Sequence, residues 1–189
     1  YWAIDLWLLL MLDTVLMGFV GTLAGAGVAL LFCFHAAANL APNRLSFWVA
    51  RRGFEFARTV PELVFALIFV FAFGAGPFAG VLAIAIHSAG ALGKLFAEVN
   101  ENADPRPIEA LAAAGAGWAE TMRFAVLPQV LPNFLSYGLL RFEINVRAAS
   151  VLGIVGAGGI GEELYLVVRR FIYPDISAIV LLILLTVSP

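Results

Sequence analysis

Four residues in one strongly apolar run stand out for the chemistry they could do: Arg141, Glu143, Asn145 and Arg147. A charge at membrane depth costs about 2.5–3.5 kcal/mol on insertion scales, so such groups pair with one another or face a cavity. Helical spacing puts Glu143 and Arg147 four apart on one face, in the favourable order for an ion pair. Arg141 and Asn145 share a second face, about 160–200° away. One reading is two local pairs that hold helices together. The other is a path that draws an anion, because a planar guanidinium matches phosphate oxygens where water is scarce. With Glu143 neutralising Arg147, Arg141 becomes the expected attractor, with Asn145 beside it. His87, next to Ser88 in another apolar run, either lines that path or hydrogen-bonds a neighbouring helix.

Other chemistries are excluded. Gly156-Ala157-Gly158-Gly159-Ile160-Gly161 fits a dinucleotide GxGxxG pattern. That fingerprint requires a strand before it, a helix after it and a βαβ unit, and apolar spans flank it here. A closely packed turn is the better reading. No Ser-His-Asp set, HExxH or P-loop lysine motif occurs, so no cofactor and no metal site are expected in the chain. Cys33 is the single cysteine, which rules out a disulfide within the chain. A net charge of −2 without a basic cluster gives nucleic acid nothing to bind.

The elements that must position these residues are membrane helices. Hydrophobic residues are 62% of the 189 and charged ones 13%, and the mean hydropathy is +0.98. Soluble domains hold roughly 45–50% and roughly 25% of these classes. The expectation is one all-helical membrane domain over residues 1–189. It starts at Tyr1 without Met and stops just after an apolar run, so further residues are expected at both ends. Tyr1 to Leu12 mixes Trp2, Trp7 and Asp5 and suits a membrane–water interface. Thr14 to Ala38 is a first span, long enough for a hydrocarbon core about 30 Å thick. Gly18, Gly21, Gly25 and Gly27 within it invite close helix packing. Asn39 to Thr59 reads as a polar loop with a short amphipathic helix over 45–57. Apolar segments follow from Pro61 to Phe73, Phe78 to Leu95, Gln129 to Leu152 and Ile176 to Val187. The glycine-rich piece over 155–175 cannot cross lipid alone, so it lies outside or packs inside protein.

Glu109 to Pro128 interrupts this pattern. Alanines 110 and 112–114 favour a short helix, Gly115 to Gly117 make a weak joint, and a second helix follows. Pro128 is expected to restart the chain. The stretch resembles the EAA loop of ABC-importer permeases: Glu109-Ala110-Leu111, three residues, Gly115, nine residues, Ala125, one residue, Leu127-Pro128. Leu111 replaces the second alanine and Ala125 the isoleucine of that pattern. The resemblance implies a cytoplasmic pair of coupling helices, docked on an ATPase subunit through Glu109, Ala110, Gly115, Leu127 and Pro128. Counting basic residues gives the same side independently. Arg44, Arg51, Arg52, Arg58, Lys94, Arg106 and Arg123 would lie with the loop, against Arg169 and Arg170 opposite.

Three further stretches, 58–62, 127–165 and 173–177, are similar to the permeases of phosphonate importers. The resemblance implies the type I ABC importer permease fold with about five transmembrane helices in a bacterial inner membrane. It implies a homodimer or pseudo-dimer of permeases, a cytoplasmic ATPase carrying ATP and Mg, and a periplasmic binding protein. Phosphonate or a related phosphorus oxyanion is the implied solute, with methionine or another small solute as the alternative. A secondary transporter would leave the EAA-like loop unexplained, and an inert anchor would leave the intramembrane charges without purpose.

Overall fold

The computed structural model describes residues 3–187. Among them every regular element is helical: α1 (Ile4–Ala36), α2 (Arg44–Thr59), α3 (Glu62–Phe73), α4 (Pro77–Glu101), α5 (Pro105–Ala113), α6 (Trp118–Thr121), α7 (Leu127–Leu152), α8 (Ile160–Arg169) and α9 (Tyr173–Val187). Two are straight helices long and apolar enough to cross a membrane, α1 and α4. Two bent pairs qualify when each is taken as one span: α2 with α3, meeting at 87°, and residues 118–155 with α8, meeting at 44°. α9 is a shorter apolar helix, which brings the apolar segments to the expected five.

α1 is 33 residues long and absorbs the predicted interfacial stretch, because nothing between Ile4 and Thr14 breaks a helix. Tyr1 and Trp2 lie outside the described residues. Its glycines set the packing. A Cβ on Gly25 would lie 2.7 Å from the Ala85 carbonyl oxygen, and one on Gly21 would lie 2.6 Å from the Ile84 side chain, so both bring α1 onto α4. Gly18 meets the backbone of Val146 on α7, whereas Gly27 faces open space. Close backbone approach of this kind supplies the contact that a hydrophobic effect cannot supply between helices in lipid. The outer face of α1 keeps Leu12, Leu16, Val20, Leu23 and Leu31 exposed, as a lipid-facing surface requires.

The amphipathic helix expected over 45–57 is α2, one residue longer at its start and two at its end, and residues 39–43 before it form a turn. Asn43 caps α2 by accepting from Ser46 N at 2.7 Å, and Phe54 is buried against α4, where its ring occupies the space a Gly93 side chain would need. Arg51 and Arg52 find Glu101 and Glu55 at 3.2 and 2.6 Å. Arg51 turns toward α4, whereas Leu45, Trp48, Val49 and Phe56 give α2 an exposed apolar face. Arg58 lies beside Gly90, eleven residues before Glu101 and so about 16 Å along α4 from the end it was assigned to.

The glycine-rich piece packs inside protein. The Thr14 hydroxyl accepts from Ile160 N at 2.9 Å, and Gly153 and Gly161 meet so closely that neither has room for a side chain. Gly156, Gly158 and Gly159 take left-handed φ values of +85°, +82° and +77°. A helix precedes this turn and a helix follows it, so the dinucleotide pattern serves only the turn.

Candidate functional site

Two sites emerge, one in the α4–α7 connection and one within α7. The first is the helix pair α5–α6. Asp104 caps α5 by accepting from Arg106 N at 3.0 Å, and Pro105 opens its first turn. Gly115 closes it at φ +84°: Gly115 N donates to Ala112 O, and Ala116 N donates to Leu111 O, both at 3.0 Å. That pairing is the Schellman arrangement, which a left-handed glycine completes without strain. Gly117 then caps α6, its N–H donating to the Glu120 carboxylate at 2.9 Å.

Pro128 stands in the first turn of α7, as a proline should, but no break precedes it. Met122–Val126 forms a π-turn, with Leu127 N donating to Met122 O, and α6 runs through it into α7. The wider turn accommodates a proline that lacks an N–H and would crowd the carbonyl four residues back. Leu127 is half-buried and Pro128 exposed, while Glu109, Ala110 and Ala112 to Gly115 form an exposed face of small side chains.

The pair is tied to the bundle at few points. Ile108 packs on the core around Phe96 and Met122, and Trp118 Nε1 donates to Leu40 O at 2.6 Å. The His35 ring, at the end of α1, stands 4.9 Å from the indole. Sequence reading missed Trp118, since nothing local marks its partner 78 residues away. Trp118→Phe keeps the ring contact and loses the donor, and Trp118→Ala loses both. Hydrogen exchange over residues 105–121 is expected to rise roughly 2- to 10-fold in the Phe variant and further in the Ala variant. Unchanged exchange in both would show that other contacts hold the pair.

The second site is the charged part of α7. Asn145 is fully buried, and its amide donates to Thr22 Oγ1 on α1 at 2.7 Å and to Ser88 Oγ on α4 at 2.8 Å. It therefore knots three helices, with bonds worth about 0.6–2 kcal/mol each inside a membrane. Arg141, one turn away on the same face, donates from Nε to Ser88 Oγ at 3.3 Å. Its Nη2 is buried without an acceptor among the described residues. Glu143 and Arg147 form the expected pair at 3.4 Å, with about half of each side chain exposed.

Arg147 also lines a cleft of about 240 Å³ with Glu62 and Leu63 of α3 and Ile144, Ala148 and Val151 of α7. Of the two arginines, Arg141 has a buried donor without an acceptor among the described residues. His87 is not brought to this group. Its Nδ1 lies 3.1 Å from Val60 O at the α2–α3 joint, while neighbouring Ser88 turns toward α1 and α7.

Known proteins share both sequence and fold. The chain is 45% identical over 182 residues to the phosphite transport system permease protein PtxC of Stutzerimonas stutzeri, covering 96% of this chain and 66% of that protein. It is 42% identical over 175 residues to the phosphate-import permease protein PhnE of Mycolicibacterium smegmatis, covering 93% of this chain and 33% of that one. The chain thus spans about a third to two thirds of the length of these relatives. Among solved structures, the MetNI methionine ABC transporter in an inward-facing conformation superposes with a TM-score of 0.82 at 18% identity, covering 97% of this chain and 90% of that one. An amino acid ABC transporter crystallised with histidines superposes with a TM-score of 0.71 at 22% identity, covering 98% and 92%. Residues 21–189 match the family of binding-protein-dependent transport system inner membrane components, and the chain belongs to that family.

Proposed function

We propose that the chain is the permease subunit of an ATP-driven importer that moves phosphonate, phosphite or a related phosphorus oxyanion inward. The observation that carries this is the α5–α6 pair, an exposed small-residue helix hairpin built into the α4–α7 connection and fastened to the bundle through Trp118. Such a hairpin suits docking in a groove, because alanine and glycine let a partner's groups approach closely. The partners are a cytoplasmic ATPase carrying ATP and Mg, a periplasmic binding protein and a second permease.

The relatives' phosphite and phosphate names support the solute class, and Arg141 supplies matching chemistry. The methionine transporter's likeness concerns the fold alone.

Co-expression with a candidate ATPase and binding protein tests the reading. The permease is expected to co-purify with the ATPase, and vesicles holding the complex should take up phosphite or methylphosphonate but not methionine. Uptake of methionine alone would overturn the solute class. Orientation has its own test. With Cys33 fully buried and Ala114 exposed, Ala114→Cys gives a single reactive thiol. An impermeant reagent applied outside intact cells is expected to leave it unlabelled, and efficient labelling would invert the topology.

A further inference from the structure

The connection between α1 and α2, residues 37–43, is gripped by both roots of the α5–α6 hairpin. At the first root, where α4 ends, Glu101 Oε1 accepts from Ala38 N at 3.0 Å and from Arg51 Nη1 of α2 at 3.2 Å. Asn39 Nδ2 adds longer bonds to Asn100 O at 3.5 Å and Glu101 O at 3.4 Å. At the second root, where α6 begins, Trp118 Nε1 donates to Leu40 O. Between the two grips, Ala37 and Leu40 are buried in one core with Phe96 of α4 and Met122 of the π-turn.

One carboxylate oxygen thus serves a backbone amide of the connection and a guanidinium of α2, with 30% of the Glu101 side chain exposed. Bonds to an ionised acceptor are roughly twice as strong as neutral ones. A connection held at two roots and packed between them is displaced with its holders, because hydrogen-bond networks and rigid helices carry such shifts. We propose that Glu101 is a positioning residue for coupling, which makes the α1–α2 connection and α2 travel with the hairpin when the ATPase displaces it. The proposal rests on the importer reading and adds the element that receives the motion. α2 passes it on through its 87° bend to α3, whose first residue, Glu62, lines the cleft shared with Arg147.

The test uses the complete importer, permease with ATPase and binding protein, in vesicles where phosphite uptake and ATP hydrolysis are measured together. Glu101→Ala is expected to lower the phosphite moved per ATP roughly 3- to 10-fold. Glu101→Gln should lose less, since its amide oxygen still accepts from Ala38 N and Arg51. Asn39→Cys combined with Glu101→Cys separates positioning from packing, and Cys33 is too buried to interfere. Reduced, this variant is expected to be uncoupled like Glu101→Ala; oxidised, its disulfide replaces the lost bonds and should restore the ratio. Equal ratios before and after oxidation overturn the positioning role, as does failure of the disulfide to form. A wild-type ratio in Glu101→Ala, or uptake and hydrolysis that fall together, overturns it too. A wild-type complex that hydrolyses ATP but moves neither phosphite nor methylphosphonate overturns the importer reading, and the coupling role with it. Hydrogen exchange over 37–43 still reads the grip in that case: a rise of about 2- to 10-fold is expected in Glu101→Ala, and an unchanged rate removes Glu101 from the connection.

Discussion

Gly115→Trp is expected to leave the permease in the membrane and to cut the anion moved per ATP hydrolysed by roughly 5- to 30-fold, the equivalent of 1–2 kcal/mol. Two separate effects act there. Gly115 holds φ +84°, where any L side chain is strained by about 1–2 kcal/mol, so the Schellman closure of α5 loosens. A Cβ at this position meets nothing within 4 Å, so the indole would project from the small-residue face instead of being absorbed by the bundle. Gly115→Asn separates the effects, because asparagine tolerates left-handed φ and adds little bulk. It should retain most of the coupling. An unchanged transport-to-hydrolysis ratio in Gly115→Trp would remove the docking role from this face.

Arg141→Gln is expected to lower phosphite uptake about 10- to 100-fold, with membrane accumulation and ATPase assembly preserved. A hydrogen bond to a charged group contributes about 1.5–3 kcal/mol, and that range sets the size of the loss. Glutamine still reaches hydrogen-bonding distance of a hydroxyl such as Ser88 Oγ, so the local packing has a substitute for the 3.3 Å bond. The positive charge and the unpaired Nη2 have none. Arg141→Lys restores the charge without the planar fork and should recover only part of the uptake. If Arg141→Gln instead abolishes accumulation in the membrane, the guanidinium is a packing group and the path runs elsewhere. Asn145 differs from it in kind: buried, with both amide donors spent on Thr22 and Ser88, it holds helices together.

What the sequence determined was local. Hydropathy marked the apolar segments, and the i,i+4 rule paired Glu143 with Arg147. Gly21 and Gly25 announced a close contact by their small-xxx-small spacing, and the alanine run with Gly115 announced a hairpin. Each signal is written within a few turns of one helix, where the 3.6-residue period fixes which side chains are neighbours.

Tertiary structure decided what depends on how separate helices are rotated against one another. The Thr22–Ser88–Asn145 knot joins residues 57 and 123 positions apart, and no local pattern states that three helices turn these faces together. Trp118 reached Leu40 for the same reason. The amphipathic helix over 45–57 was legible in the sequence, but its docking was not: Phe54 buries on the side α4 offers through Gly90 and Gly93. Pro128 suggested a break, yet the helix continues through a π-turn, because the spans on either side fix the chain's direction more strongly than one missing hydrogen bond disrupts it.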